Sequence, residues 1–146
     1  MSDERDYASH RPVLRAILAQ DKPRTVLEFG AGIHSTPLFL ERPEVTRLVS
    51  IEPDAGWRGV VRKKCDDPRL SLRHSLDVDP ASFDLVFIDN GRSVAERVQT
   101  IETVLRPGHP VTVIHDMDER DYLTAVEKLA ANFRVVATDP PTAVAW

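Results

Sequence analysis

The sequence contains little of what would mark a secreted or membrane-spanning protein. Its single cysteine, Cys65, allows no disulfide within the chain, and we expect a reducing, cytoplasmic environment. No apolar run approaches the roughly 20 residues that a transmembrane helix needs. Residues 1–7 are mostly polar and acidic, unlike a signal or transit peptide. We therefore expect no membrane partner.

The chain also lacks an excess of positive charge. Its formal net charge is −4 at pH 7, which disfavours nucleic acid as a partner. Apolar residues make up 42% and charged residues 29%, as in ordinary globular proteins, and 146 residues can bury one core. We predict a tail and helix over residues 1–22, followed by one domain over residues 23–146.

Short apolar segments alternate with amphipathic segments along the chain. The predicted strands are Thr25–Phe29, Arg47–Ile51, Leu70–Arg73, Phe83–Ile88 and Val111–Ile114. The predicted helices are Pro12–Gln20, Thr36–Leu40, Asp54–Cys65, Ser93–Leu105 and Arg120–Asn132. In the Ser93–Leu105 helix the predicted buried stripe is Val94, Val98, Ile101 and Leu105. This alternation predicts a three-layer α/β fold with a mostly parallel sheet.

The end of the chain has a different pattern. Two apolar segments, Phe133–Thr138 and Ala143–Trp146, are separated only by Asp139-Pro140-Pro141-Thr142. A connection this short joins antiparallel strands, so we predict a C-terminal hairpin. Such a hairpin departs from a dinucleotide-binding Rossmann domain.

The first predicted strand runs into a glycine-rich turn. Gly30 and Gly32 lack a Cβ, so the chain can turn tightly and a ligand can approach the backbone. Ser35 and Thr36 precede Pro37 in the pattern of a helix N-terminus, whose free N–H groups can meet a carboxylate. Glu52 follows the second strand about 20 residues later, the spacing of a ribose acceptor. The pattern predicts a nucleoside-cofactor site.

Polar side chains follow each predicted parallel strand. They are Glu28 with the glycines, Glu52, Ser75-Leu76-Asp77, Asp89-Asn90 and His115-Asp116. Ligands of open α/β sheets bind outside the carboxyl ends of the strands, so these residues converge on one rim. The rim is acidic, which suits a cofactor with a sulfonium and an ammonium group better than a pyrophosphate.

Glu28-Phe29-Gly30-Ala31-Gly32, Glu52, Asp89 and the closing hairpin together resemble a class I S-adenosylmethionine-dependent methyltransferase. The resemblance covers the chain from Thr25 to Trp146. It implies a seven-stranded Rossmann-like sheet of order 3-2-1-4-5-7-6. Ser50-Ile51-Glu52, ending in Trp57, is similar to a bacterial subgroup, and Val113-Ile114-His115-Asp116 loosely resembles plant glucuronoxylan O-methyltransferase-like proteins. His34 stands where the family commonly has a third glycine.

The resemblance also implies which residues hold S-adenosylmethionine. The turn would line its methionine part, Glu52 its ribose, Asp54 and Trp57 its adenosine, and Ser75 to Asp77 its adenine. The predicted cofactor-binding set is Glu28, Phe29, Gly30, Ala31, Gly32, Ser35, Thr36, Glu52, Asp54, Trp57, Ser75, Leu76, Asp77, Asp89 and Asn90.

Three residues are candidates for catalysis. Asp89 falls at the expected methyl-transfer face, although an Asp before Asn-Gly also forms turns. His115 with Asp116 fits a general base and its orienting carboxylate, although Asp116 also fits a helix cap. Arg92 is a candidate for binding an anionic substrate group. We predict no metal site; a divalent cation on Asp89 and Asp116 is the less favoured alternative.

The function predicted from the sequence is methyl transfer from S-adenosylmethionine to an acceptor whose identity the residues leave open, with a hydroxyl oxygen favoured. A non-catalytic S-adenosylmethionine-binding module or partner subunit stays open, and so does an NAD-dependent oxidoreductase, although Ser35 takes the third-glycine place of its fingerprint. Only the N-terminal segment remains to cover the site. We therefore expect a large acceptor, or a homodimer or partner subunit that completes the site. His10, His74 and His109 have no partner that the sequence identifies.

Overall fold

The computed structural model describes residues 8–146, and the predicted loose tail before Ala8 lies outside the described residues. The helices are α1 (Arg11–Asp21), α2 (Thr36–Leu40), α3 (Ala55–Lys64), α4 (Val94–Val104) and α5 (Arg120–Leu129). The strands are β1 (Thr25–Phe29), β2 (Arg47–Ile51), β3 (Leu70–Arg73), β4 (Leu85–Ile88), β5 (Val111–Ile114), β6 (Phe133–Val136) and β7 (Thr142–Ala145). No helix in this part of the chain has the length and apolarity to cross a membrane.

One sheet of seven strands forms in the order β3-β2-β1-β4-β5-β7-β6. The pairs from β3 to β5 are parallel, whereas β7 runs antiparallel to both β5 and β6. The predicted fold class, strand order and C-terminal hairpin are confirmed. The order reverses direction between β1 and β4, and this switch point leaves an opening at the carboxyl ends of the strands.

The sheet separates two apolar clusters because successive strand residues point to opposite faces. Val26 packs with Leu14 of α1 and Phe39 of α2, whereas its neighbour Leu27 packs with Ile101 of α4. Helices α1, α2 and α3 therefore cover one face, and α4 and α5 cover the other. This is the predicted three-layer arrangement.

The structure corrects one predicted buried stripe and several element ends. In α4, Val94 is 36% exposed, and Arg97 is buried at 6% exposure. The first turn of α4 lies beside the carboxyl edge of the sheet, where polar groups collect. Arg97 finds partners among these groups and is buried there in place of Val94. Helix α5 ends at Leu129 rather than Asn132, and β4 begins at Leu85 rather than Phe83.

Candidate functional site

A cavity of about 600 Å³ lies at the carboxyl ends of β1, β2 and β4. The predicted residues that line it are Gly30, Ala31, Gly32, Ser35, Glu52, Trp57, Asp89, Asn90 and Arg92. A neighbouring cavity of about 220 Å³ is lined by the predicted residues Phe29, Ser75 and Leu76, and also by Asn90. Predicted residues from four segments of the chain thus meet at the switch point.

The turn after β1 requires glycine at its first position. Gly30 has a φ of +85°, and a Cβ there would overlap the Asp89 carbonyl group, lying 2.8 Å from its carbon atom. The Gly30 N–H donates to the Ile51 carbonyl at 2.9 Å, which ties the turn to β2. The backbone of the turn therefore passes between β2 and β4 with its face open to the cavity.

Glu28 lies beneath the turn and does not line the cavity. Its fully buried carboxylate accepts hydrogen bonds from the hydroxyls of Ser35 (2.5 Å), Thr36 (2.6 Å) and Ser50 (2.7 Å). Burial raises the pKa of Glu28 to about 7, against the lowering effect of these three hydroxyls. The predicted contact of Glu28 and Thr36 with the cofactor is therefore not supported by this geometry: both side chains hold α2 against β1 and β2.

The expected capping at the start of α2 is also different in the structure. Ser35 stands at the N-cap position, but its hydroxyl makes no capping hydrogen bond because it donates to Glu28. Ser35 nevertheless borders the cavity.

The second wall of the cavity comes from the segment after β2. Burial raises the pKa of Glu52, and one of its carboxylate oxygens accepts from the Asp54 N–H at 3.0 Å. The Trp57 indole N–H donates to the Ala31 carbonyl at 2.6 Å, so the ring is fixed against the glycine turn. Asp54 caps α3 by accepting from the Trp57 N–H at 2.7 Å.

Two carboxylates that were predicted to contact the cofactor, Asp54 and Asp77, have other partners. Asp54 is engaged in capping and is not among the residues lining either of the two cavities described above. Asp77 is exposed and forms an ion pair with Arg73 at 2.6 Å. Neither carboxylate is placed by the structure at the cavity wall.

The third wall is a charged cluster at the ends of β4 and β5. Oδ1 of Asp89 lies 3.2 Å from Nδ1 of His115 and 3.3 Å from the Arg97 guanidinium. Asp116 Oδ2 lies 3.5 Å from Arg97, and burial raises the pKa of this carboxyl. Arg97 also donates to the carbonyls of Asn90 and His115, so the two strand ends are tied together. Sequence reasoning missed Arg97.

Only one of the three predicted catalytic residues reaches the cavity. Asp89 lines it, whereas His115 is 3% exposed and its Nε2 lies 2.7 Å from the Ser9 hydroxyl. Asp116 adopts a φ of +60°, an uncommon backbone conformation that recurs at functional sites. The geometry places His115 behind Asp89, where it can orient the carboxylate.

Comparison with known proteins identifies the fold. No protein-family model and no curated protein sequence matches the chain. The methyltransferase domain of bacterial Hen1 superposes with a TM-score of 0.70 at 12% identity, over 95% of this chain and 97% of that chain. The N-methyltransferase NodS from Bradyrhizobium japonicum gives a TM-score of 0.63 at 14% identity, over 99% and 97% of the two chains. The chain has the class I methyltransferase fold.

Structures with this methyltransferase fold differ in what they act on. A 16S rRNA methyltransferase from T. thermophilus, in complex with AdoMet and guanosine, gives a TM-score of 0.68 at 18% identity. That match covers 99% of this chain and 43% of the other. NodS is an N-methyltransferase by name, so the methyltransferase fold alone leaves the acceptor open.

His10 is a further residue of the cavity wall, and no pattern in the sequence singles it out. It stands at the N-cap position of α1, lines the cavity and is 2% exposed. Its ring lies 5.1 Å from that of Phe87 and 4.8 Å from that of His115, between centroids. Burial lowers the pKa of His10 to about 4, so the ring is neutral at pH 7. The ring reaches the cavity because α1 packs on the same face of the sheet as α2.

Proposed function

We propose that this chain binds S-adenosylmethionine in the 600 Å³ cavity and catalyses transfer of its methyl group to an acceptor oxygen. The observation that carries the proposal is the convergence of an open glycine turn, Glu52 and Asp89 on one cavity at the switch point. The volume falls in the range of small-molecule sites, about 300–1,000 Å³. S-adenosylmethionine, when bound, supplies an activated methyl group.

The residues present fit this cofactor. The backbone of Gly30 to Gly32 is unobstructed, so it can meet the methionine part, and Ser35 lies at the N-terminus of α2 beside it. Glu52 offers a carboxylate for the ribose hydroxyls, and the indole of Trp57 offers a flat apolar surface for the nucleoside. Asp89, Glu52 and Glu96 give the wall an acidic character that favours a cationic ligand.

On the acceptor side, Asp89 is the group that we assign to proton removal. Arg97 and His115 both contact Oδ1 of its carboxylate, which fixes the orientation and leaves Oδ2 to accept a hydroxyl proton. Positioning contributes most of the remaining rate enhancement, because the acceptor oxygen must lie in line with the bond between the methyl carbon and the sulfur. Arg92, with a side chain that is 72% exposed at the cavity edge, would bind an anionic group of the acceptor.

The cavity is open, so we propose that a large acceptor, a second copy of the chain or a partner subunit covers it. The described part of the chain contributes only His10 from the segment before β1 to the cavity lining. A covering group from outside would exclude water during transfer.

Ligand binding tests the cofactor assignment. Calorimetric titration and thermal unfolding with S-adenosylmethionine, S-adenosylhomocysteine and NAD are expected to show binding of the first two only. A ligand at 100 times its Kd adds about 2.7 kcal/mol to the free energy of unfolding. Glu52→Ala should weaken binding by at least about tenfold, since a hydrogen bond to a charged group contributes about 1.5–3 kcal/mol. Exposed Glu102 on α4 provides the control, Glu102→Ala.

The outcomes separate the alternatives. Binding of NAD without binding of S-adenosylmethionine would support an oxidoreductase and contradict the proposal. S-adenosylmethionine binding that survives Asp89→Ala, with no labelled methyl transferred to any hydroxyl, amine or carboxylate acceptor, would identify a binding module. Transfer to hydroxyl acceptors that is lost in Asp89→Ala would support the proposal in full.

A further inference from the structure

We infer that His10, Asp89 and His115 form a binding site for a divalent transition-metal ion of the Zn²⁺ type. One ligand atom from each residue can be chosen so that all three lie within 4.8 Å of one another. Two imidazoles and one carboxylate are a donor set that suits Zn²⁺, Fe²⁺, Co²⁺ and Ni²⁺ rather than Mg²⁺ or Ca²⁺. The inference is independent of methyl transfer.

The first support is the state of His10. Within residues 8–146 neither of its ring nitrogens has a hydrogen-bond partner, although the residue is only 2% exposed. A buried polar group without a partner costs about 1–3 kcal/mol, so native structures rarely retain one. A metal ion bound to one of these nitrogens removes the cost for that nitrogen.

The second support is the hydrogen bonding around His115. Nε2 of His115 lies 2.7 Å from the Ser9 hydroxyl oxygen, to which an Nε2–H can donate. With its proton on Nε2, His115 presents the Nδ1 lone pair to Oδ1 of Asp89 at 3.2 Å. In this tautomer two acceptors face each other, and a metal ion between them would accept both lone pairs. Metal-bound imidazoles commonly donate their other N–H in this way.

The spacing fits an ion after a small adjustment. Ligand atoms at about 2.1 Å from a tetrahedral ion are about 3.4 Å apart, close to the 3.2 Å between Asp89 and His115. The His10 ring has to move inward by roughly 1 Å to reach the same point. The charges also agree: the carboxylates of Asp89 and Asp116 outnumber the one guanidinium, Arg97, that pairs with them.

His10 and Asp89 border the cavity, and three protein ligands leave at least one coordination position of the ion free. Free positions are typical of metal sites that bind a further molecule, whereas structural sites are closed. The ion would thus be reachable from the cavity.

Co²⁺ is the probe for the test, since it replaces Zn²⁺ and its visible absorption reports the coordination geometry. The untagged full chain is first treated with a chelator and then titrated with Co²⁺ in the absence of S-adenosylmethionine. We expect one Co²⁺ per chain, displaced by Zn²⁺, and a higher Tm with either ion. His10→Phe keeps an aromatic ring against Phe87 but removes both nitrogens, and should weaken binding by more than about 100-fold, beyond the effect of losing an indirect contact.

The exposed histidine at 74 supplies the matched control. His74→Ala should bind Co²⁺ as the unchanged chain does, and Asp89→Asn, which preserves shape, should lose binding even if His10→Phe fails to fold. Absence of saturable Co²⁺ and Zn²⁺ binding, or equal binding by folded His10→Phe, would overturn the inference. Neither result depends on whether S-adenosylmethionine binds, so failure here is distinguishable from failure of the proposed function.

Discussion

Two buried ionisable residues, Glu28 and Arg97, hold the site together. Each lies in an element whose buried residues are mostly apolar, yet each has polar partners. Glu28 lies in the middle of an apolar strand, and its carboxylate is stabilised by three hydroxyls from α2 and β2. Arg97 is buried on α4, where the predicted stripe was entirely apolar, and it joins the ends of β4 and β5. The sequence analysis predicted that Glu28 contacts the cofactor; it did not predict the hydroxyl contacts, because these form only when α2 packs on the sheet.

The raised pKa of Glu28 makes stability depend on pH. Its pKa rises from 4.5 to about 7 on folding, so the folded state holds the proton more tightly than the unfolded state. The contribution of Glu28 to the free energy of unfolding is therefore fully present below pH 4.5 and is lost as pH rises to about 7. It amounts to about 3 kcal/mol. The Glu28→Gln variant should lose this pH dependence of the free energy of unfolding. Urea unfolding between pH 4.5 and 8 measures that free energy.

Exposed Glu102 again serves as the reference, since Glu102→Gln should keep the pH profile of the unchanged chain. A profile for Glu28→Gln that matches the unchanged chain would show that another group titrates.

At the scale of elements, the strands were more predictable than the turns between them. The predicted bounds of β1, β2, β3 and β5 are confirmed because a buried parallel strand is a short apolar run with clear ends. The bounds of α2 are also confirmed, whereas ends of the other helices differ by one to three residues, since a helix stops where capping and packing compete. The glycine turn was predicted, but the reason for Gly30 comes from Asp89, which is distant in sequence.

Comparison of two glycines separates backbone strain from close packing. Gly30 and Gly108 have φ values of +85° and +83°, but a Cβ at Gly108 meets nothing within 4 Å. Gly108→Ala should therefore cost only the left-handed backbone term, about 1–2 kcal/mol. Gly30→Ala should cost at least about twice as much, since β4 must also shift. Urea unfolding gives both values, and equal losses would mean that β4 yields without cost.

Across the whole molecule, the sheet separates a buried centre from an exposed edge. All four residues of β4 are buried, whereas the middle residues of β6 are exposed. Predicting this from sequence required the resemblance to a known fold, because strand order depends on contacts between distant segments. The sequence predicted that the N-terminal segment covers the site, but not that it brings His10 to the cavity wall.

Hydrogen exchange should follow this gradient. The amides of β1 and β4 open only when the whole sheet does, whereas β6 has one neighbour and an exposed face. We expect amides in β4 to exchange at least about 100-fold more slowly than those in β6. Mass-spectrometric exchange on the full chain measures the ratio, and similar rates in the two strands would contradict a central position for β4.

The position of β7 between β5 and β6 also has a consequence for synthesis on the ribosome. In this sheet β6 pairs only with β7, which is made after it. When β6 leaves the exit tunnel, the strand that joins it to the sheet does not yet exist. The ladder from β3 to β5 can assemble while the chain is still growing, but Phe133–Val136 must wait for Thr142–Ala145. Completion of the sheet is thus tied to the final stage of translation of this domain.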